Sequence, residues 1–130
     1  MKQENKKSVL VILLADSKKM LEDILSFRIP GSERYVIEAT YSGKDAINII
    51  QAHPLDVILL DDAIIETEGE QILSEILKFK SCPVILMTPY TSSSFIPRFM
   101  EMGGYGCIKK NFEIDRMHNM LDRATLEESR

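Results

Sequence analysis

Five short, largely continuous apolar runs, alternating with segments at helical spacing, constrain this chain more than any other feature. The runs are Val9 to Ala15, Tyr35 to Thr40, Val57 to Leu60, Val84 to Met87 and, more weakly, Tyr105 to Ile108. Runs of this length and composition suit strands buried on both faces. Between and after them, apolar residues recur at helical intervals: Met20, Leu21, Ile24 and Leu25; Ala46, Ile47, Ile49 and Ile50; Ile72, Leu73, Ile76 and Leu77; Ile114, Met117, Met120, Leu121 and Ala124. Pro30-Gly31, Ser42-Gly43, Gly69 and Gly103-Gly104 mark turns or helix ends. Strand and helix therefore alternate five times, which predicts an α/β domain: a doubly wound, five-stranded parallel sheet with helices on both faces. The least regular stretch is Thr88 to Met102, where Pro97 lacks a backbone donor and clashes in a helix interior, so its helix is expected to begin late, near Ser94.

The chain of 130 residues is long enough to bury one core and too short for two. Met1 to Lys7 is polar and is expected to be a disordered tail, leaving residues 8–130 as a single domain. Lys6 and Lys7 before an apolar run mimic a secretory leader. The run is only seven residues long, however, Asp16 follows at once and no A-x-A site is present, so it reads as a strand. A bilayer-spanning helix needs about 20 apolar residues, so no membrane segment is expected and the domain is read as cytoplasmic. Sixteen Lys and Arg against twenty Asp and Glu give a net charge of −4, which argues against a phosphate-binding surface and hence against direct contact with nucleic acid. Cys82 and Cys107 stand 25 residues apart with no CxxC pair or nearby His at metal-ligand spacing, so both are expected to be free, buried thiols. His53 and His118 are isolated and expected at the surface, while Met87, Met100, Met102, Met117 and Met120 are expected in packing roles.

In open parallel sheets, chemistry collects in the crevice at the carboxyl ends of the strands. Those ends carry Asp16, Asp61, Thr88 and Lys110. A carboxylate, a hydroxyl and an ammonium at one sheet edge can accept and hold a phosphoryl group, with a divalent cation to offset charge. Taken singly the residues are weak evidence: an Asp at a strand end is more often a helix cap or turn residue than a nucleophile, and Thr88 also reads as the end of a β-branched strand.

The pattern as a whole resembles the receiver domain of two-component response regulators, of the chemotaxis-regulator type, from about Ser8 to Leu126. Asp56-Val57-Ile58-Leu59-Leu60-Asp61 is similar to the family's third strand and phosphoacceptor, with Gly69 eight residues on. Pro83-Val84-Ile85-Leu86-Met87-Thr88 resembles the fourth strand and its hydroxyl residue; Gly103-Gly104 and Lys110-Asn111-Phe112 resemble the G-A and K-P-F signatures, with 22 residues from Thr88 to Lys110. The resemblance implies a flavodoxin-like α/β/α fold with Asp61 as phosphoacceptor, Thr88 contacting the phosphoryl group and Lys110 binding its oxygens. It also implies Mg²⁺ held by Asp16, Asp61 and the backbone carbonyl of Ala63. The implied partner is a sensor histidine kinase or phosphotransfer protein, and the domain itself is not an enzyme; a homodimer through the last helix-strand-helix face is a further implied partner.

Several positions depart from the family. Its first strand ends in two adjacent acids, whereas Leu14-Ala15-Asp16-Ser17 keeps only Asp16. Two registers are open, with Ser17 in the second acidic place or Ala15 in the first, and the former is favoured. Loss of one carboxylate predicts weak Mg²⁺ binding. Asp62 reads either as a solvated loop acid or as a substitute ligand, and Lys109 as a surface charge. Ile65 and Asn111 replace prolines common in the family, and Cys107 replaces an aromatic that rotates between exposed and buried positions. These departures keep a second function open beside the phosphorylation switch: a pseudo-receiver, a protein-interaction or dimerisation module that works without phosphorylation. An aspartate-nucleophile phosphatase would need a second acid two residues after Asp61, where the chain has Ala63. A dinucleotide-binding domain would need G-x-G-x-x-G after the first strand, where it has Ala15-Asp16-Ser17-Lys18-Lys19-Met20.

Overall fold

A computed structural model describes residues 7–13, 35–89, 95–109 and 114–128. Five strands, β1 (Lys7–Ile12), β2 (Tyr35–Thr40), β3 (Val57–Asp61), β4 (Val84–Thr88) and β5 (Gly106–Lys109), form one sheet in the order β2-β1-β3-β4-β5 with every pair parallel. Five helices are described: α1 (Gly43–Ala52), α2 (Asp62–Glu68), α3 (Glu70–Phe79), α4 (Phe95–Glu101) and α5 (Ile114–Glu128). Strand β1 takes in Lys7, which the sequence reading left in the tail. The helical pattern around Met20 to Leu25 lies outside the described residues.

Strand side chains point alternately to the two faces, and the core divides accordingly. Leu10, Ile12, Ile58, Leu60, Val84 and Leu86 pack on one side with Ala46 and Ile50 of α1, Ile64 of α2, Leu73 and Ile76 of α3 and Phe99 of α4. Val9, Val11, Val57, Leu59, Ile85 and Met87 pack on the other with Met117, Leu121 and Ala124 of α5. Because both faces of β1, β3 and β4 are covered, their sequences show no polar alternation. The edge strand β2 does alternate, with Val36 and Glu38 exposed. Its first residue, Tyr35, is buried and donates a hydrogen bond from its hydroxyl to Asp122 of α5, tying the sheet edge to the last helix.

The methionine expectation holds for Met87 and Met117, which are fully buried, and fails for Met100 and Met102, which lie at and just beyond the C-terminal end of α4 and are exposed. A seven-residue helix carrying Pro97 has one inward face, and Phe99 fills it. Cys82 is buried, whereas Cys107 is only half-buried because β5 is an edge strand; neither is in a disulfide. Desolvation pushes the Cys107 thiol above its ordinary pKa. His53 is exposed, as expected; the side chain of His118 lies outside the described residues. No helix among the described residues is long and apolar enough to cross a membrane.

Candidate functional site

Asp61 is the last residue of the central strand β3, and its neighbours β1 and β4 run in the same direction. The residue has no exposed surface. Aspartate is seldom buried completely in folded proteins, so a buried carboxylate at a strand end is informative in a way that the surrounding apolar residues are not. Asp61 pairs in register with Met87, and the next residue, Thr88, closes β4 and is 4% exposed. The two residues expected from sequence to act together therefore sit at the same carboxyl edge, on adjacent strands. Thr88 pairs with Lys109 of β5, whose side chain is exposed. Lys110, Asp16 and Ser17 lie outside the described residues.

The chain does not loop away after β3. Asp61 serves as the N-cap of α2: its backbone is extended (φ −77°, ψ 128°) and its Oδ1 accepts a 3.1 Å hydrogen bond from the Ala63 N–H. Asp62, half-buried, occupies the first helical position, where a negative charge is favoured by the helix dipole. Ile64 and Ile65 anchor α2 in the core. A proline at position 65 would lack the N–H that an α-helix bonds to the carbonyl four residues back, so the Ile65 substitution noted in the sequence is what permits this helix. Sequence reasoning missed α2. Its signals were an Asp at the cap position and Gly69 just past the end, where φ is 92°.

The far end of α2 is also engaged. Both carboxylate oxygens of Glu68 accept from the Gly43 N–H, at 3.0 and 3.2 Å, so that Glu68 closes the N-terminus of α1 from another element. Ser42 caps the same end by accepting from Asp45 N–H at 3.1 Å. Helix α1 comes so near that a Cβ on Gly43 would lie 2.0 Å from Ile72 Cγ1 of α3. On the outside, Arg98 of α4 pairs with Glu70 at the start of α3.

For a divalent cation, the oxygen donors of Asp61 have the right hardness, and Asp61 with Asp16 would be the residues to hold one. Ala63 is the second residue of α2, and its N–H bonds Asp61 Oδ1. Among the described residues no group of three or more His, Cys, Asp or Glu side chains is arranged to hold a metal.

A family model described as the response regulator receiver domain matches residues 12–122. The fold is similar to solved receiver structures. One is the N-terminal domain of a response regulator/sensory box/GGDEF protein from Carboxydothermus hydrogenoformans, with TM-score 0.76, 22% identity, 95% of this chain and 98% of that one covered. A Francisella response regulator receiver domain matches with TM-score 0.75 and 22% identity over 94% of this chain and 98% of that one. The receiver domain of a sensor histidine kinase from Pseudomonas aeruginosa, a structure with a magnesium ion in its active site cleft, matches with TM-score 0.71 and 15% identity over 92% and 98%. With its five parallel strands in flavodoxin-like order, its buried strand-end aspartate and a family match spanning most of its length, the chain belongs to the response regulator receiver domains.

Proposed function

We propose that this domain is a phosphorylation switch in which Asp61 accepts a phosphoryl group from the phosphohistidine of a sensor kinase or phosphotransfer protein. The observation that carries this reading is the placement of a completely buried Asp61 beside Thr88 at the carboxyl edge of the parallel sheet. In the step, an Asp61 carboxylate oxygen forms a bond to phosphorus while the phosphorus–nitrogen bond of the donor breaks and its imidazole leaves with the electron pair. Thr88 donates a hydrogen bond from its hydroxyl to a transferred oxygen, and Lys110 supplies positive charge as the three oxygens shift geometry. Burial sharpens both contributions, since charge interactions strengthen where water is excluded. Mg²⁺, when bound, offsets the charge that the carboxylate and the phosphoryl group bring together. With Asp16 as the only acid at the end of the first strand, weak binding of the cation is part of this reading.

Incubation with acetyl phosphate and Mg²⁺, followed by intact mass spectrometry, tests it. The expected result is one added phosphoryl group in the wild type and none in Asp61→Asn. Labelling that survives in Asp61→Asn would reject Asp61 as the acceptor.

One observation favours a second reading, the phosphorylation-independent interaction module. Asp61 already has a structural task as the cap of α2, where its Oδ1 accepts from the Ala63 N–H. In this reading the wild type takes up no phosphoryl group under the same conditions and the fold serves as a fixed docking platform.

A further inference from the structure

We propose that α2 is a strut that transmits the state of Asp61 to the N-terminus of α1, making the α1–α2 side of the domain its responsive surface. A carboxylate makes a contact at each end of this helix: one caps the helix itself and the other caps α1. At its N-terminus Asp61 Oδ1 accepts from Ala63 N–H at 3.1 Å. At its C-terminus Glu68 reaches out of the helix and holds the Gly43 N–H, the first of α1. Between them lie fewer than two turns of helix, too short to persist in water without its caps and its buried pair Ile64 and Ile65. An element of this length responds as a unit, so disturbing one cap is felt at the other.

The contact with α1 is close enough to carry that response. Gly43 lies against Ile72 of α3 as well as Glu68, and a Cβ there would force those side chains to shift. Gly69, at φ 92°, is the joint on which α2 meets α3, and its N–H bonds the Ile65 carbonyl at 2.7 Å. A displacement of α2 is therefore relayed across a packed junction. Phosphorylation of Asp61 would make one carboxylate oxygen the bridging oxygen of an acyl phosphate and add a bulkier dianion where the residue has no exposed surface, next to Asp62. The cap geometry cannot survive that change unaltered. For phosphorylation the proposal rests on the reading of Asp61 given above; for the coupling of the two caps it stands on the hydrogen bonds alone.

Amide hydrogen exchange, read residue by residue by NMR, tests the coupling without any phosphoryl chemistry. Asp61→Ala should speed exchange at Ala63 and also at Gly43, each by roughly fivefold, the equivalent of one lost cap. Glu68→Ala should do the same at Gly43 and leave no further effect of Asp61→Ala there. Should Asp61→Ala fail to fold, Asp61→Asn, which weakens the cap by removing its charge, gives the same pattern at smaller amplitude. Faster exchange at Ala63 with Gly43 unchanged would overturn the strut. A second arm uses beryllofluoride with Mg²⁺ as the phosphoryl mimic. The Gly43 amide resonance should move in the wild type, whereas in Glu68→Ala it should stay in place while the resonances of residues 61–63 still move. Unmoved resonances at residues 61–63 under saturation would reject the phosphoacceptor reading, while the exchange measurements still decide the strut.

Discussion

At the scale of single residues, the chain places reactive groups where their surroundings decide their chemistry. Asp61 and Asp62 are adjacent in sequence, yet one is fully buried at a strand end and the other half-exposed in the first turn of a helix. Only the first has the desolvated position in which a neighbouring hydroxyl or ammonium acts strongly. Cys107 shows the same principle in a neutral group. Partial burial at the edge of the sheet disfavours its thiolate and raises its pKa. The native form is the neutral thiol, and an unfolded chain ionises it first. Raising the pH from the ordinary thiol value toward the raised one therefore favours unfolding, and below that window Cys107 contributes no pH dependence. Alkylation by iodoacetamide, followed by peptide mapping, should show the rate at Cys107 rising with pH later than that of a model thiol. Coincident pH profiles would contradict the assigned environment.

At the scale of elements, the junction of α2 and α3 turns on one glycine. Gly69 has φ 92° and ψ 161°, a region that residues with a Cβ rarely enter, and nothing lies within 4 Å of where that Cβ would be. Gly69→Ala should therefore cost about 1–3 kcal/mol through backbone strain alone, measured by urea denaturation. An unchanged midpoint would mean that the junction adopts another geometry. Nothing in the periodicity pointed to α2, because seven residues with Ile64 and Ile65 as their apolar content hold too little of a repeat. The strands were legible for the opposite reason: burial on both faces of β1, β3 and β4 leaves runs such as Val57-Ile58-Leu59-Leu60 with little alternative reading. Helices α1, α3 and α5 were legible from their apolar spacing, and their buried apolar residues are ones that the spacing marked, among them Ala46, Leu73, Ile76, Met117 and Leu121. The contacts Glu68 with Gly43 and Tyr35 with Asp122 were not, since they join residues 25 and 87 positions apart through side-chain geometry that no local pattern records.

At the scale of the whole molecule, two apolar layers hold a parallel sheet whose carboxyl edge gathers the polar residues. Of the expected site, Asp61 and Thr88 are brought together on neighbouring strands, and Lys109, one residue short of Lys110, pairs with Thr88. The fold follows from strand order alone, but a receiver fold can serve a switch or a fixed platform, and the difference lies in chemistry at one carboxylate. Sodium borohydride reduces an acyl phosphate and leaves homoserine at the modified aspartate. After treatment with acetyl phosphate and Mg²⁺, reduction and proteolysis, the account predicts homoserine at position 61 and at no other acidic residue. Homoserine at Asp56 or Asp62, or an unmodified position 61 under saturating acetyl phosphate and Mg²⁺, would contradict it.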